Sequence, residues 1–90
     1  MIKVHNYDLS FIINHLIAII IFTGLYYNIS MFDSSSFNHK LSIFDALYYS
    51  TTTQSTIGYG DITPLSVPAK TVALLQMFSI IGLITFHFLN

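Results

Sequence analysis

Two long stretches without charge constrain this chain more than any other feature. No Asp, Glu, Lys or Arg lies from Leu9 to Phe32, and none from Thr71 to Asn90. A hydrocarbon core about 30 Å thick is crossed by about 20 helical residues, so each stretch is long enough to span a membrane once. The first span is expected over residues 9–29. The second is expected over residues 67–89, where Ser66 offers an N-cap and Pro68 falls in the first turn, in which a missing amide costs nothing. The first stretch does not read as a secretory signal. Its apolar run is too long, only Lys3 is basic before it, and no small-x-small cleavage pattern follows.

Composition agrees and excludes the other classes. Of 90 residues, 53% are hydrophobic and 8% charged, against roughly 25% charged in a soluble domain. Three lysines, no arginine and a net charge of −1 cannot displace the counterions of a nucleic acid. The absence of cysteine excludes disulfide frameworks and thiolate metal sites, and the hydrophobicity excludes disorder. No metal triad, nucleophile elbow or phosphate loop points to an enzyme, and no cofactor is implied. An all-α integral membrane protein remains.

Between the spans, residues 30–41 are polar and read as a loop. Ser42-Ile43-Phe44-Asp45 approaches a capping box and opens a helix expected over residues 42–53. Such a helix covers roughly 16 Å, half a membrane. Residues 54–64 show no periodicity and hold two of the four glycines and one of the two prolines. Irregular backbone at membrane depth is tolerated only where protein buries it or a water-filled cavity receives it. Helix, half-helix, irregular segment and helix therefore predict a re-entrant loop.

That loop contains Thr53-Gln54-Ser55-Thr56-Ile57-Gly58-Tyr59-Gly60-Asp61. A hard cation crossing a narrow pore must exchange its water for other oxygens, and backbone carbonyls serve if successive residues aim them to one side. An extended strand alternates its residues. Left-handed dihedrals at every second position correct this, and Gly58 and Gly60 adopt them without penalty.

The segment resembles the filter signature of the potassium-channel family, T-x-x-T-x-G-Y-G-D, matched at Thr53, Thr56, Gly58, Tyr59, Gly60 and Asp61. The two-span plan is similar as well, and the short length resembles the miniature potassium channels of algal viruses. The resemblance implies one pore module over residues 1–90, with a pore helix at 42–53 and a filter and outer mouth at 54–64. It implies a filter of Thr56, Ile57, Gly58, Tyr59 and Gly60. Potassium would bind at the carbonyls of Thr56, Ile57, Gly58 and Tyr59, with the Thr56 hydroxyl closing the innermost site. Tyr48, Tyr49, Thr52 and Thr53 would support the filter. Thr52 stands where many members carry an acid, and Tyr48-Tyr49 where many carry tryptophan, so support is expected to be built differently. One chain gives one oxygen per layer; four chains give about eight around an ion held between two layers. A homotetramer in a lipid bilayer follows.

Asp61 at the outer mouth either concentrates cations in an acidic ring or is hydrogen-bonded behind the filter. Phe78, Ser79, Gly82 and Phe86 are candidates for an inner gate: the rings by excluding water, Ser79 by bonding the Leu75 carbonyl and bending the helix, Gly82 as a hinge or a close-packing site. Asn14 and His15 read foremost as interhelical hydrogen-bonding groups. His87 is either a plain interfacial residue or part of a pH-sensing ring at the inner mouth. Lys70 is expected to snorkel, and Asn28-Ile29-Ser30 fits the glycosylation pattern against the membrane end. Lysine counting does not orient the chain; the resemblance puts both termini in the cytoplasm, and a viral channel would serve a host or virion membrane. No arginine-rich voltage sensor is present, so gating falls to the filter or the second span. The alternatives are a weakly selective cation pore and a non-conducting membrane protein that modulates another complex.

Overall fold

A computed structural model describes residues 6–89 as three helices. Helix α1 runs Asn6–Phe32, α2 Ile43–Gln54 and α3 Val67–Leu89. At 1.5 Å per residue these are about 40, 18 and 35 Å long. Helix α3 has the expected bounds. Helix α1 is three residues longer at each end than expected, and at its C-terminal end polar residues find partners within the fold. The Asn28 amide donates to the Gly24 carbonyl (2.8 Å), and Ser30 Oγ accepts the Leu41 amide (2.8 Å). The glycosylation pattern thus lies inside a helix. Lys3 and Asn90, which bore on orientation and on the end of the second span, lie outside the described residues.

Helix α2 starts on a full capping box. Ser42 Oγ accepts the Asp45 amide and an Asp45 carboxylate oxygen accepts the Ser42 amide, both at 3.0 Å. The Ser42 amide, with smaller help from nearby His39, holds the Asp45 carboxyl below its ordinary range. Ser66 caps α3 by accepting the Ala69 amide (3.2 Å). Asp33 closes the end of α1 in a turn, accepting from the Ser35 hydroxyl (2.6 Å) and amide (3.0 Å), which lowers its own carboxyl.

The core is small and sits at the end of the bundle where the 33–42 loop meets α2 and α3. Tyr26, Phe37, Leu41, Ala46, Ile62, Ala69 and Ala73 are buried there. Tyr26 packs edge-on against Tyr49 (4.8 Å between centroids) and Phe37 (5.9 Å), contacts worth about 0.5–1.5 kcal/mol each beyond their area. The three alanines let the helices approach closely.

Away from that core the long helices cover little of each other. Their apolar windows have a mean hydropathy of 2.0, yet only 11% of the first and 17% of the second is buried within the chain. Ile20 is 70% exposed and Phe78 65%. Monomeric soluble proteins do not show apolar surface on this scale to water. Two helices long and apolar enough to span, left uncovered by the chain itself, mark an integral membrane protein.

Candidate functional site

The irregular segment is tied to the end of α2 by its own amides. The Thr56 amide donates to the Thr53 carbonyl (3.0 Å), and the Ile57 (3.0 Å) and Gly58 (3.1 Å) amides share the Thr52 carbonyl. The Ser55 amide (2.9 Å) and hydroxyl (2.8 Å) occupy the Thr51 carbonyl. The free carbonyls that every helix end leaves are therefore filled by the segment that follows. In a trans peptide the N–H and the preceding C=O point in opposite directions, and no cis bond is present among the described residues. Amides of Ile57 and Gly58 turned toward α2 thus leave the carbonyls of Thr56 and Ile57 directed away from it.

Positive φ occurs at Thr56 (66°), Gly58 (57°) and Gly60 (83°). Every second residue is left-handed, the alternation that brings successive carbonyls to one side. The glycines adopt it freely. Thr56 does not: a β-branched residue at positive φ is an outlier, and such strain of about 1–3 kcal/mol is held only where the surroundings impose it. Sequence reasoning placed Thr56 in the filter but expected left-handed dihedrals only at the two glycines, since no propensity marks a threonine for positive φ. Residues 55–61 are all exposed in the chain, as backbone that is to meet an ion must be.

Asn38 ties the far end of the segment to the 33–42 loop. Its side-chain amide donates to the Asp61 carbonyl (2.7 Å) and its carbonyl oxygen accepts the Thr63 amide (3.1 Å), while its own backbone amide donates to the Thr63 carbonyl (3.1 Å). Phe37 and Pro64 form an antiparallel bridge, and the Ser36 carbonyl accepts the Leu65 (2.7 Å) and Ser66 (3.2 Å) amides. The nearby Asp61 carboxylate raises the Tyr48 phenol above its ordinary value. Tyr48 also stacks on Tyr59 (6.3 Å, 11° between planes). Tyr49 faces the core, against Tyr26 and Phe37. Thr52 is buried, its hydroxyl donating to the Tyr49 carbonyl (3.1 Å), so its backbone rather than its side chain holds the segment.

A buried polar chain crosses all three helices. Tyr26 of α1 donates from its hydroxyl to Gln76 Oε1 of α3 (2.6 Å). Gln76 Nε2 donates to the Ser50 carbonyl (3.0 Å), Ser50 Oγ (3.3 Å) and Gln54 Oε1 (3.0 Å) of α2. Gln54 Nε2 lies 2.7 Å from Nδ1 of His15, back on α1. Ser50 Oγ itself donates to the Ile19 carbonyl (2.9 Å). His15 is thus an interhelical hydrogen-bonding residue as expected, whereas Asn14 is exposed. Gln54 and Gln76 were not singled out from sequence. A glutamine in the middle of an otherwise apolar span was the available signal.

The other candidates are spread along α3. Phe78 and Phe86 are 65% and 68% exposed in the chain. Ser79 Oγ donates to the Gln76 carbonyl (2.7 Å), three residues back, and not to Leu75; a short one-turn reach was sterically as good as the expected four-residue one. Helix α3 continues unbroken through Gly82, and a Cβ there would meet nothing within 4 Å in the chain, so close packing inside the subunit does not explain it. His87 Nε2 lies 3.5 Å from Asp8 of α1, with the Phe11 ring 4.3 Å from the imidazole. His87 therefore faces α1 of its own chain. Lys70 is exposed.

Among the described residues no group of three or more His, Cys, Asp or Glu side chains could hold a metal. What the site offers is oriented backbone oxygen, set between two spans. That defines a membrane protein of the ion-transport class. The profile of the ion channel family matches residues 14–90, most of the chain, and the protein belongs to that family. Its work therefore needs no cofactor. No curated protein and no solved structure matches the chain.

Proposed function

We propose that the chain is the subunit of a homotetrameric potassium channel, conducting passively through a filter of Thr56, Ile57, Gly58, Tyr59 and Gly60. The observation that carries this reading is the alternation of positive φ at Thr56, Gly58 and Gly60 inside a full T-x-x-T-x-G-Y-G-D signature. Carbonyls of Thr56, Ile57, Gly58 and Tyr59 replace the hydration shell, and the Thr56 hydroxyl closes the inner site. Each chain supplies a quarter of every oxygen layer, so a single subunit is incomplete and four-fold closure completes it. Helix α2 is the re-entrant pore helix, its C-terminal end lending partial negative charge to the ion path. Tyr48, Tyr49, Thr52 and Thr53 support the filter, and Asp61 sits at the outer mouth. The uncovered faces of α1 and α3 meet lipid and neighbouring subunits, with both termini on the cytoplasmic side and residues 1–90 acting as one pore module. Phe78 and Phe86, with Ser79 and Gly82 between them, form the candidate inner gate.

A weakly selective cation pore is favoured by one observation: the Thr52 hydroxyl bonds its own helix, so the filter lacks a carboxylate brace at that position. Reconstitution in planar bilayers tests the main reading. Discrete potassium currents from a protein that migrates as a tetramer are expected. Well-folded protein that stays monomeric and passes no current would refute it, and would leave a modulatory role.

A further inference from the structure

We propose that Gln76, a residue of α3 outside the conducting segment, is a positioning residue that sets ion discrimination through a directional hydrogen-bond relay. The proposal rests on the reading of residues 56–60 as the filter. Gln76 is fully buried, and an amide in apolar surroundings must satisfy both its ends or lose stability. The direction of the relay is fixed at one point. The Ser50 carbonyl can only accept, so the Gln76 amide nitrogen must face it (3.0 Å). Gln76 Oε1 is then left for the Tyr26 hydroxyl (2.6 Å). The same nitrogen requires an oxygen from Gln54 (3.0 Å), which turns the Gln54 nitrogen to His15 Nδ1 (2.7 Å) and places the imidazole proton on Nε2. Reversing any amide would set donor against donor or acceptor against acceptor elsewhere in the line.

The relay grips α2 at Ser50 and Gln54, on either side of Thr52. The Thr52 carbonyl is the anchor for the Ile57 and Gly58 amides. A small rotation of the last turn of α2 therefore moves both filter peptides together. Most of the relay's fixed points lie on α1 and α3, so the spans hold the filter from outside. This is the support missing from the Thr52 side chain, supplied instead from the second span. His15 Nε2 is buried without a partner among the described residues, so the imidazole's hydrogen bond there is the one to Gln54 at Nδ1.

The test is the bi-ionic potassium-to-sodium permeability ratio of reconstituted tetramers carrying Gln76→Leu or Tyr26→Phe. Leucine keeps the volume and removes every bond of the relay at Gln76. Phenylalanine keeps the Tyr26 ring packing and removes only the hydroxyl at the end remote from the filter. The ratio is expected to fall about threefold in Tyr26→Phe, which loses one hydrogen bond, and about tenfold or more in Gln76→Leu, which loses all four contacts at Gln76, at roughly threefold to tenfold per net hydrogen bond. A purely structural role predicts tetramers that melt earlier while the surviving channels keep the wild-type ratio, and that result would overturn the proposal. If Gln76→Leu gives no tetramer, the Tyr26→Phe ratio decides. A wild-type protein without selectivity refutes the filter reading instead, so the two failures are told apart by the control.

Discussion

Replacing Gly58 by alanine isolates the backbone geometry on which the filter reading depends. Gly58 has φ +57°, and a Cβ built on it meets nothing within 4 Å in the chain. The cost of the methyl is therefore torsional, about 1–2 kcal/mol for a side-chain residue held left-handed. Thr56, two residues earlier at φ 66°, already carries strain of this kind, and in the proposed tetramer the new term multiplies to about 4–8 kcal/mol per channel. The segment can relieve it by rotating the peptide that places the Gly58 amide on the Thr52 carbonyl (3.1 Å). That rotation turns the Ile57 carbonyl with it. Gly58→Ala is expected to assemble, as shown by gel migration, and to lose selective potassium current in a planar bilayer. Gly24→Ala is the control, since a Cβ there also meets nothing within 4 Å and alanine favours a helix by about 1 kcal/mol; it is expected to conduct normally. Wild-type conductance and selectivity in Gly58→Ala would refute the carbonyl-column reasoning.

Other perturbations probe the supports. Asn38→Ala removes the side-chain bonds to Asp61 and Thr63, and is expected to destabilise the outer loop by about 1–2 kcal/mol, read as faster amide exchange at residues 61–66. Ser42→Ala should cost about 1 kcal/mol through the lost cap, measurable as a lower melting temperature of the assembled protein. The Asp45 carboxyl is held below its ordinary value, so its contribution is complete above that value and fades as pH falls through the lowered one. A thermal melt followed with acidification should therefore show a small loss that Asp45→Asn abolishes; the exposure of the carboxylate keeps the effect modest. Ala73→Leu puts extra volume at a buried helix contact and is expected to cost about 1–3 kcal/mol by overpacking, again read from melting.

The spans, the half-helix and the two glycines were legible because each is written in a local pattern: charge-free length, a capping box, residues suited to positive φ. The caps at Ser42 and Ser66 fell where sequence put them. The helix ends at Asn6 and Phe32 did not; at Phe32, one of the bonds that satisfy Asn28 and Ser30 comes from a distant loop residue. Gln54 was read as the start of the irregular segment and is the last residue of α2. Its role needs Gln76 and His15, residues 22 and 39 positions away, and no periodicity links them. Neither reading of His87, a plain interfacial residue or part of a ring, included Asp8, which only the pairing of α1 with α3 reveals as its neighbour.

The central claim is that oriented backbone oxygens select potassium. The reversal potential of reconstituted protein, with potassium on one side and an equal concentration of sodium on the other, tests it most directly. The proposed filter on Thr56, Gly58 and Gly60 predicts a reversal far from zero, in the direction that potassium sets. A reversal at zero with robust current would contradict it.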